Sequence, residues 1–358
     1  MTATSPGASA LVVDAGSPWG RSALAAVRAL RSAGLRAVVG RPAGQPSLAS
    51  SSRSCSETVA LPDVNDPGFR CAVAEEVTRA SHVVALAASD AALVALDAPG
   101  CHLTDKSVVS ARAADAGLPV LAEVVVSQGD DLDDALGALT WPLIAKPLVR
   151  RAGDPPAQEV SCYEDVVGLL TGRPLLLQPR DDGELTAVSG VMYDGELRAA
   201  VAQRSLRLWP RRAGTTSWGV TVQPDPCRLT ALSAVLHDHQ GVFQAQFVGP
   251  YLVDVNPRVY GSLPLALAAG ANLPAIYCAL LQGRHVPWTE GRVGVTYRWV
   301  EGDVRHVLAA ARDGQLSRPA ALSALRPRRR TTHSVVAWSD PRPALLRARF
   351  VVKELLPW

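Results

Sequence analysis

Along the first hundred residues, short apolar runs alternate with stretches whose apolar positions recur every three or four residues. The runs at 10–13, 36–40 and 82–86 predict strands, and the periodic stretches at 21–33 and 68–80 predict helices. Strands that alternate with helices build an open parallel sheet with crossover helices. From Leu103 the texture changes. Residues 105–116 predict a helix closed by Gly117, followed by an extended apolar segment at 118–126, a short helix near 131–139 and a strand at 141–147. After a polar, Pro-rich loop at 150–158, Ser161 and Glu164 have the spacing of a capping box for a helix ending near Gly172, and 173–178 reads as a buried strand.

Two hairpins follow. Asp194-Gly195, the dipeptide favoured in tight turns, separates alternating segments at 184–193 and 196–204. The second hairpin joins 242–247 to 251–256 around Gly249-Pro250. Period-two alternation places Gln244 and Gln246 on one face of the first strand, and Leu252, Asp254 and Asn256 on one face of the second. A three-residue connection makes those faces coincide and turns Phe243, Ala245, Phe247, Tyr251, Val253 and Val255 toward the core. Three amides and an acid on one half-buried face each need a partner, which a metal ion or a phosphate would supply.

Composition narrows the class. The chain has 358 residues, 48% of them apolar and 19% charged, enough for two or three domains with substantial cores. A net charge of +3 over this length is too weak to point to nucleic acid or a membrane, and the basic run at 326–330 reads as a solvated turn. The six cysteines show neither CxxC spacing nor histidine pairing, which argues against a zinc site or a disulfide framework. Free thiols, no signal-peptide pattern and no long apolar run together predict a cytoplasmic protein. The loop 14–20 after the first strand lacks the GxGxxG spacing of a dinucleotide site. Only three of the 36 Lys plus Arg residues are lysines. Lysine persists in an Arg-rich chain where a compact, flexible point charge is needed, and Lys106 at a helix start and Lys146 on an apolar strand both suit a phosphate.

The segment DVNPRVYGSLPLALAAG at 254–270 resembles the ATP-grasp superfamily, in particular its carboxylate-amine ligase branch and proteins like the carbamoyl phosphate synthetase large subunit. Supporting it are Thr104-Asp-Lys106, Pro142-Leu-Ile-Ala-Lys-Pro147 and the stretch from Gln203 to Pro210. The resemblance implies an α/β protein: an N-terminal Rossmann-like domain over 1–100, an ATP-grasp domain of two α+β subdomains over 101–300 with its lid at about 118–180, and a tail, 301–358, packed on the grasp. It further implies ATP and Mg²⁺ as cofactors. Lys106 and Lys146 would meet the α- and β-phosphates, while Gln178 and Glu184 would lie near adenine and ribose. Gln246, Asp254 and Asn256 would hold Mg²⁺. Arg258, with Arg204 and Arg207, would meet the γ-phosphate or an acyl phosphate.

The implied activity is activation of a small carboxylate as an acyl phosphate and its coupling to an amine. Three positions depart from the family pattern: Gln246 stands where many members have a metal-binding glutamate, and Pro179 and Leu208 replace common acidic residues. A small-molecule kinase on the same fold and a nucleotide-binding regulator without turnover are the alternatives. Small-molecule substrates are the implied partners, with pockets built by the loops 14–20, 47–54, 89–90 and 211–218. The oligomeric state stays open between monomer and homodimer, and the amphipathic stretch 344–356 is expected to pack on its own chain.

Overall fold

The computed structural model of the chain describes residues 7–16, 19–328 and 330–355. Two residues of the loop 14–20, Ser17 and Pro18, lie outside these, as do Arg329 in the basic run and Leu356 at the end of the amphipathic stretch.

Four parallel strands form the first sheet: β1 (Ser9–Val13), β2 (Arg36–Pro42), β3 (Cys55–Leu61) and β4 (Ala85–Ala87), in the order β3-β2-β1-β4. β1 is buried at every position because helices cover both faces of the sheet, which is why it reads as an unbroken apolar run. β3 is the element that hydrophobic alternation does not reveal. It is an edge strand whose Ser56, Glu57 and Thr58 face solvent.

The helix Arg21–Ser32 packs on one face of this sheet and, on its other side, against the helices Leu263–Ala268 and Leu273–Leu281. One continuous apolar cluster therefore runs from Leu24 and Val39 through Leu263 and Leu273 to Val201 and Val242 of the largest sheet. Each fully buried leucine in it contributes roughly 2 kcal/mol. The N-terminal sheet is thus fastened to the rest of the molecule through shared core.

A second sheet is small and antiparallel. It comprises β5 (Val124–Val126), β6 (Leu143–Pro147), β7 (Gln158–Val160) and β8 (Leu175–Pro179), ordered β5-β8-β6-β7. Leu143, Ala145, Leu175 and Leu177 face its own core with Leu132, Leu136 and Val166. Alternation turns Ile144, Lys146 and Gln178 to the opposite face. The expected capping box is not formed. The helix Tyr163–Leu169 starts at Cys162, and Asp165 Oδ2 accepts from the Ser161 backbone N–H at 2.8 Å, which leaves the Ser161 hydroxyl without a capping role.

The largest sheet contains β9 (Leu185–Tyr193), β10 (Glu196–Trp209), β11 (Thr215–Val222), β12 (Gly241–Val248), β13 (Tyr251–Asn256), β14 (Thr289–Glu290), β15 (Thr296–Arg298) and β16 (Thr331–His333). Its order is β13-β12-β9-β10-β11-β15-β16, with β14 beside β10. Asp194 and Gly195 both adopt positive φ, as the tight β9–β10 turn requires. The β12–β13 hairpin corrects the three-residue connection. Two residues link the strands, and a bulge at Val253, between the pairs Gln246–Asp254 and Phe247–Leu252, restores the alignment of the polar faces. Its side effect is that Leu252 enters the core with Phe243, Ala245, Phe247 and Val255, whereas Val253 turns to the cleft and Tyr251 is only half-buried.

The C-terminal segment is ordered into the helices Val300–Arg312 and Arg318–Leu325, strand β16 and the helix Arg342–Leu355. The last helix packs on its own chain: Arg347 makes two 2.8 Å bonds to Glu301, and the Phe350 ring lies 4.5 Å from that of Trp19. Among the described residues no helix is long and apolar enough to cross a membrane.

Candidate active site

The three sheets meet around one cleft of about 680 Å³. The small sheet contributes Ile144, Lys146 and Gln178; the large one contributes Gln244, Gln246, Asp254 and Asn256; the N-terminal sheet contributes Gly16, Gly20, Arg21, Ser89 and Asp90 at the carboxyl ends of its strands. Eight Arg and Lys side chains line the cleft against four Asp, so its surplus positive charge suits a polyanion.

Lys146 is only 7% exposed. Its Nζ donates to the carbonyl of Val253 at 2.7 Å, so the bulge that realigns the hairpin also supplies the acceptor that holds this ammonium. Burial pushes its pKa down to about 8; nearby Asp254 opposes the shift and Lys106 adds to it. Lys106 opens the helix Lys106–Asp115, capped by Asp105, and its Nζ stands 4.0 Å from Asp254 Oδ1. Two ammonium groups thus share one carboxylate.

On the facing hairpin, Asn256 Nδ2 donates to Asp254 Oδ2 at 3.0 Å, and Gln246 Nε2 donates to Gln244 Oε1 at 3.4 Å. A chain of amides and hydroxyls continues from there across the floor. Gln244 donates to Ser262 at 3.0 Å, Ser262 to Gln203 at 3.1 Å and Gln203 to Thr216 at 3.3 Å. These side chains are buried and satisfied, which fixes the rotamers of the polar face. Asp254 Oδ1 and Gln246 Oε1 remain without a hydrogen-bond donor among the described residues.

No group of three His, Cys, Asp or Glu able to hold a metal occurs among the described residues. The donor set fits a Mg²⁺ ion that arrives on a nucleotide, because that ion needs one or two carboxylates and takes its other oxygens from phosphate and water. Asp254 Oδ1 would be the carboxylate donor and Gln246 Oε1 a neutral one.

Arg258 is bound to Asp90 of the N-terminal sheet. Its Nε and Nη2 meet the two carboxylate oxygens at 2.6 and 3.1 Å, Nη2 also donates to Asn256 Oδ1 at 2.8 Å, and Nη1 donates to the Val259 carbonyl at 2.9 Å. One of its five N–H donors is left for a ligand. Burial alone would raise the Asp90 pKa, yet Arg258, Arg150 and Lys106 outweigh it and hold Asp90 below the usual carboxylate range.

The other sequence candidates lie elsewhere. Gln178 lines the cleft, and its amide donates to Glu123 at 2.6 Å. Glu184 and Arg204 face solvent and meet each other at 3.4 Å, outside the cleft lining. Arg207 also lies outside it, paired with the fully buried Asp303 at 2.6 Å and stacked 4.5 Å from the Trp218 ring. Bulges between Ser205 and Leu208 change the parity of β10, so that Leu208 faces the cleft instead. Of the proposed pocket loops, 47–54 stays away: Ser47 donates to Asp14 at 2.5 Å, and Ser52 donates to Asp340 at 2.6 Å. Two residues passed over by the sequence reading matter here. Glu123 gives no motif signal, and Arg21 is hidden in an ordinary amphipathic helix.

No family model and no curated protein matches the chain. Solved structures do. An N5-carboxyaminoimidazole synthetase from Staphylococcus aureus complexed with ADP is 13% identical, with a TM-score of 0.61 over 81% of each chain. An L-amino acid ligase from Bacillus licheniformis is 14% identical, with a TM-score of 0.55 over 78% of this chain and 75% of that one. A biotin carboxylase–ATP complex from Campylobacter jejuni is 12% identical, with a TM-score of 0.56 over 78% and 72%. The chain therefore has the ATP-grasp fold.

Proposed function

We propose that the protein is an ATP- and Mg²⁺-dependent ligase that activates a small carboxylate as an acyl phosphate and couples it to an amine. The observation that carries this reading is the placement of Lys106 and Lys146 opposite Asp254, Asn256 and Gln246 across one cleft. Two point charges and a hard-oxygen donor set line one cleft of about 680 Å³, the groups that a triphosphate with its metal needs. The likeness of the fold to an L-amino acid ligase and an N5-carboxyaminoimidazole synthetase supports the same class of chemistry.

In this reading Lys106 and Lys146 bind phosphate oxygens, and Lys146 moves its ammonium from the Val253 carbonyl to the stronger anionic acceptor. Asp254, Gln246 and Asn256 hold Mg²⁺, which when bound neutralises charge that develops on the phosphates. The remaining donor of Arg258 meets the γ-phosphoryl group, with Asp90 fixing the guanidinium plane. Gln178 lines the nucleotide end of the slot. A carboxylate oxygen of the substrate attacks the γ-phosphorus and ADP leaves; the amine nitrogen then attacks the acyl carbon, phosphate leaves, and the nitrogen loses a proton. Glu184, Arg204 and Arg207 lie outside the cleft lining, so the reading gives them no contact with the phosphates.

Thermal denaturation with Mg-ATP, alongside Lys146→Met, tests the reading. Saturation at about a hundredfold over Kd adds roughly 2.7 kcal/mol. The expected result is a shift in the wild type that EDTA and the substitution each abolish. Absence of any Mg-ATP shift in the wild type overturns it. ADP release with free phosphate marks ligation, whereas ADP without phosphate marks the kinase alternative.

A further inference from the structure

The Arg21 guanidinium is held in the cleft by neutral partners, and Glu301, the carboxylate that feels its charge, is itself bound by Arg347 and Arg305. Arg21 opens the helix Arg21–Ser32 at the carboxyl end of β1, where neighbouring strands β2 and β4 depart to opposite sides. In open parallel sheets that crevice is where ligands bind. The guanidinium lies 3.8 Å over the Trp299 ring. Its Nη1 donates to Tyr297 Oη at 3.0 Å and Ser334 Oγ at 3.5 Å, and its Nη2 donates to Thr215 Oγ1 at 3.3 Å. A Cβ on Gly261 would come within 3.3 Å of the guanidinium carbon and amino group, so glycine leaves this face uncrowded.

Every one of these partners is neutral. No carboxylate among the described residues lies within ion-pair distance of Arg21, whereas Arg258, Arg180 and Arg212 in the same cleft each have one. The hydrogen bonds account for both Nη1 hydrogens and one on Nη2. Nε–H and the second Nη2 hydrogen remain, a pair of donors on neighbouring nitrogens that two oxygens of a carboxylate or phosphate can take together. The stack and three hydrogen bonds order the side chain before a ligand arrives, so little rotamer freedom is left to lose on binding.

We propose that Arg21 is the anchor for an anionic group, a carboxylate or a phosphate, on the acceptor substrate. Assigning the group to the acceptor rests on the ligase reading; the anion site itself does not. Arg21 reaches the cleft from the N-terminal sheet, whereas Lys106, Lys146 and Asp254 belong to the later segments that face the nucleotide in that reading. Its charge selects an acceptor with an acidic group remote from the reacting amine and disfavours a neutral one.

The test titrates sodium acetate and sodium phosphate separately, at constant ionic strength against chloride, into the full chain saturated with Mg²⁺ and a non-hydrolysable ATP analogue. The wild type is expected to bind at least one probe saturably. Preference for acetate identifies a carboxylate, and preference for phosphate a phosphate ester. Arg21→Gln, which keeps a donor but removes the charge, is expected to weaken that binding about tenfold or more, with Arg21→Lys in between. Analogue affinity stays unchanged in both variants. Arg21→Lys carries the comparison if Arg21→Gln does not fold. Failure of the wild type to bind either probe, or equal binding by the variants, overturns the proposal. If the analogue does not bind, the ligase reading falls, and the same titration without it still decides the role of Arg21.

Discussion

Lys146 and Arg207 are both cations held away from bulk water, and their surroundings treat that charge in opposite ways. Around Arg207 the protein supplies a carboxylate in direct contact. Asp303, with no exposed surface, receives Arg207 at 2.6 Å and Arg298 at 2.6 Å, and the Trp218 ring packs against both guanidinium groups. Around Lys146 it does not: among the described residues the ammonium has a neutral carbonyl at hydrogen-bond distance and no carboxylate in direct contact. A charge matched by an internal partner holds the fold together. One left unmatched inside a cleft costs stability until a ligand of opposite sign arrives.

The largest effect expected from that contrast is on nucleotide binding. Lys146→Met is expected to weaken Mg-ATP binding by about a hundredfold or more, the loss of a charge-assisted contact in a desolvated site, as measured by calorimetry. Asp303→Asn is expected to leave binding by the folded protein unchanged but to cost about 3–5 kcal/mol in urea unfolding, since two buried guanidinium groups lose their counter-ion. Comparable nucleotide affinities in the two variants would erase the distinction.

A smaller effect lies in the pH dependence. The Lys146 ammonium titrates near 10.5 in the unfolded chain and near 8 in the folded one. Below pH 8 both states are charged and the folded state carries the whole burial cost, roughly 3 kcal/mol. As pH rises from 8 to 10.5 the folded state loses the proton first and the cost is relieved. Wild type is therefore expected to gain stability relative to Lys146→Met across that window, in paired urea titrations. At pH 8 to 9, Mg-ATP binding is expected to take up a proton, visible as a dependence of the binding enthalpy on buffer ionisation. Smallest of all is the exposed Glu184–Arg204 pair: alanine at either position should change stability by about 1 kcal/mol or less and leave nucleotide binding untouched.

These contrasts also mark how far the sequence could be read. Lys146 is legible because a lysine between apolar strand residues has no inexpensive structural explanation, and Asp254 with Asn256 is legible because period-two alternation puts them on one face of their strand, although a bulge that the pattern does not show is what aligns them with the glutamines. Arg207 misleads because bulges reset the parity of β10, and bulges leave no mark in the hydrophobic pattern. Strand β3 escapes notice because a polar edge strand lacks the apolar signal. Arg21 is the extreme case. Its partners are 194 to 313 residues away along the chain, so nothing local distinguishes it from the other arginines on amphipathic helices.

The extra residue at Val253 decides what a change of length does to this hairpin. Removing that single residue would join Leu252 directly to Asp254 and keep the pairs Phe247–Leu252 and Gln246–Asp254, so Asp254 and Asn256 would stay on the cleft face and Val255 in the core, while the carbonyl that holds the Lys146 ammonium would go with it. Deletion of Val255, in the regular part of the ladder, is the harsher lesion, because it would set Asn256 opposite the core-facing Ala245. For anyone building variant libraries or aligning distant sequences on this scaffold, a gap of one residue between Phe247 and Asp254 is therefore compatible with the same polar face, whereas a gap beyond Asp254 is not.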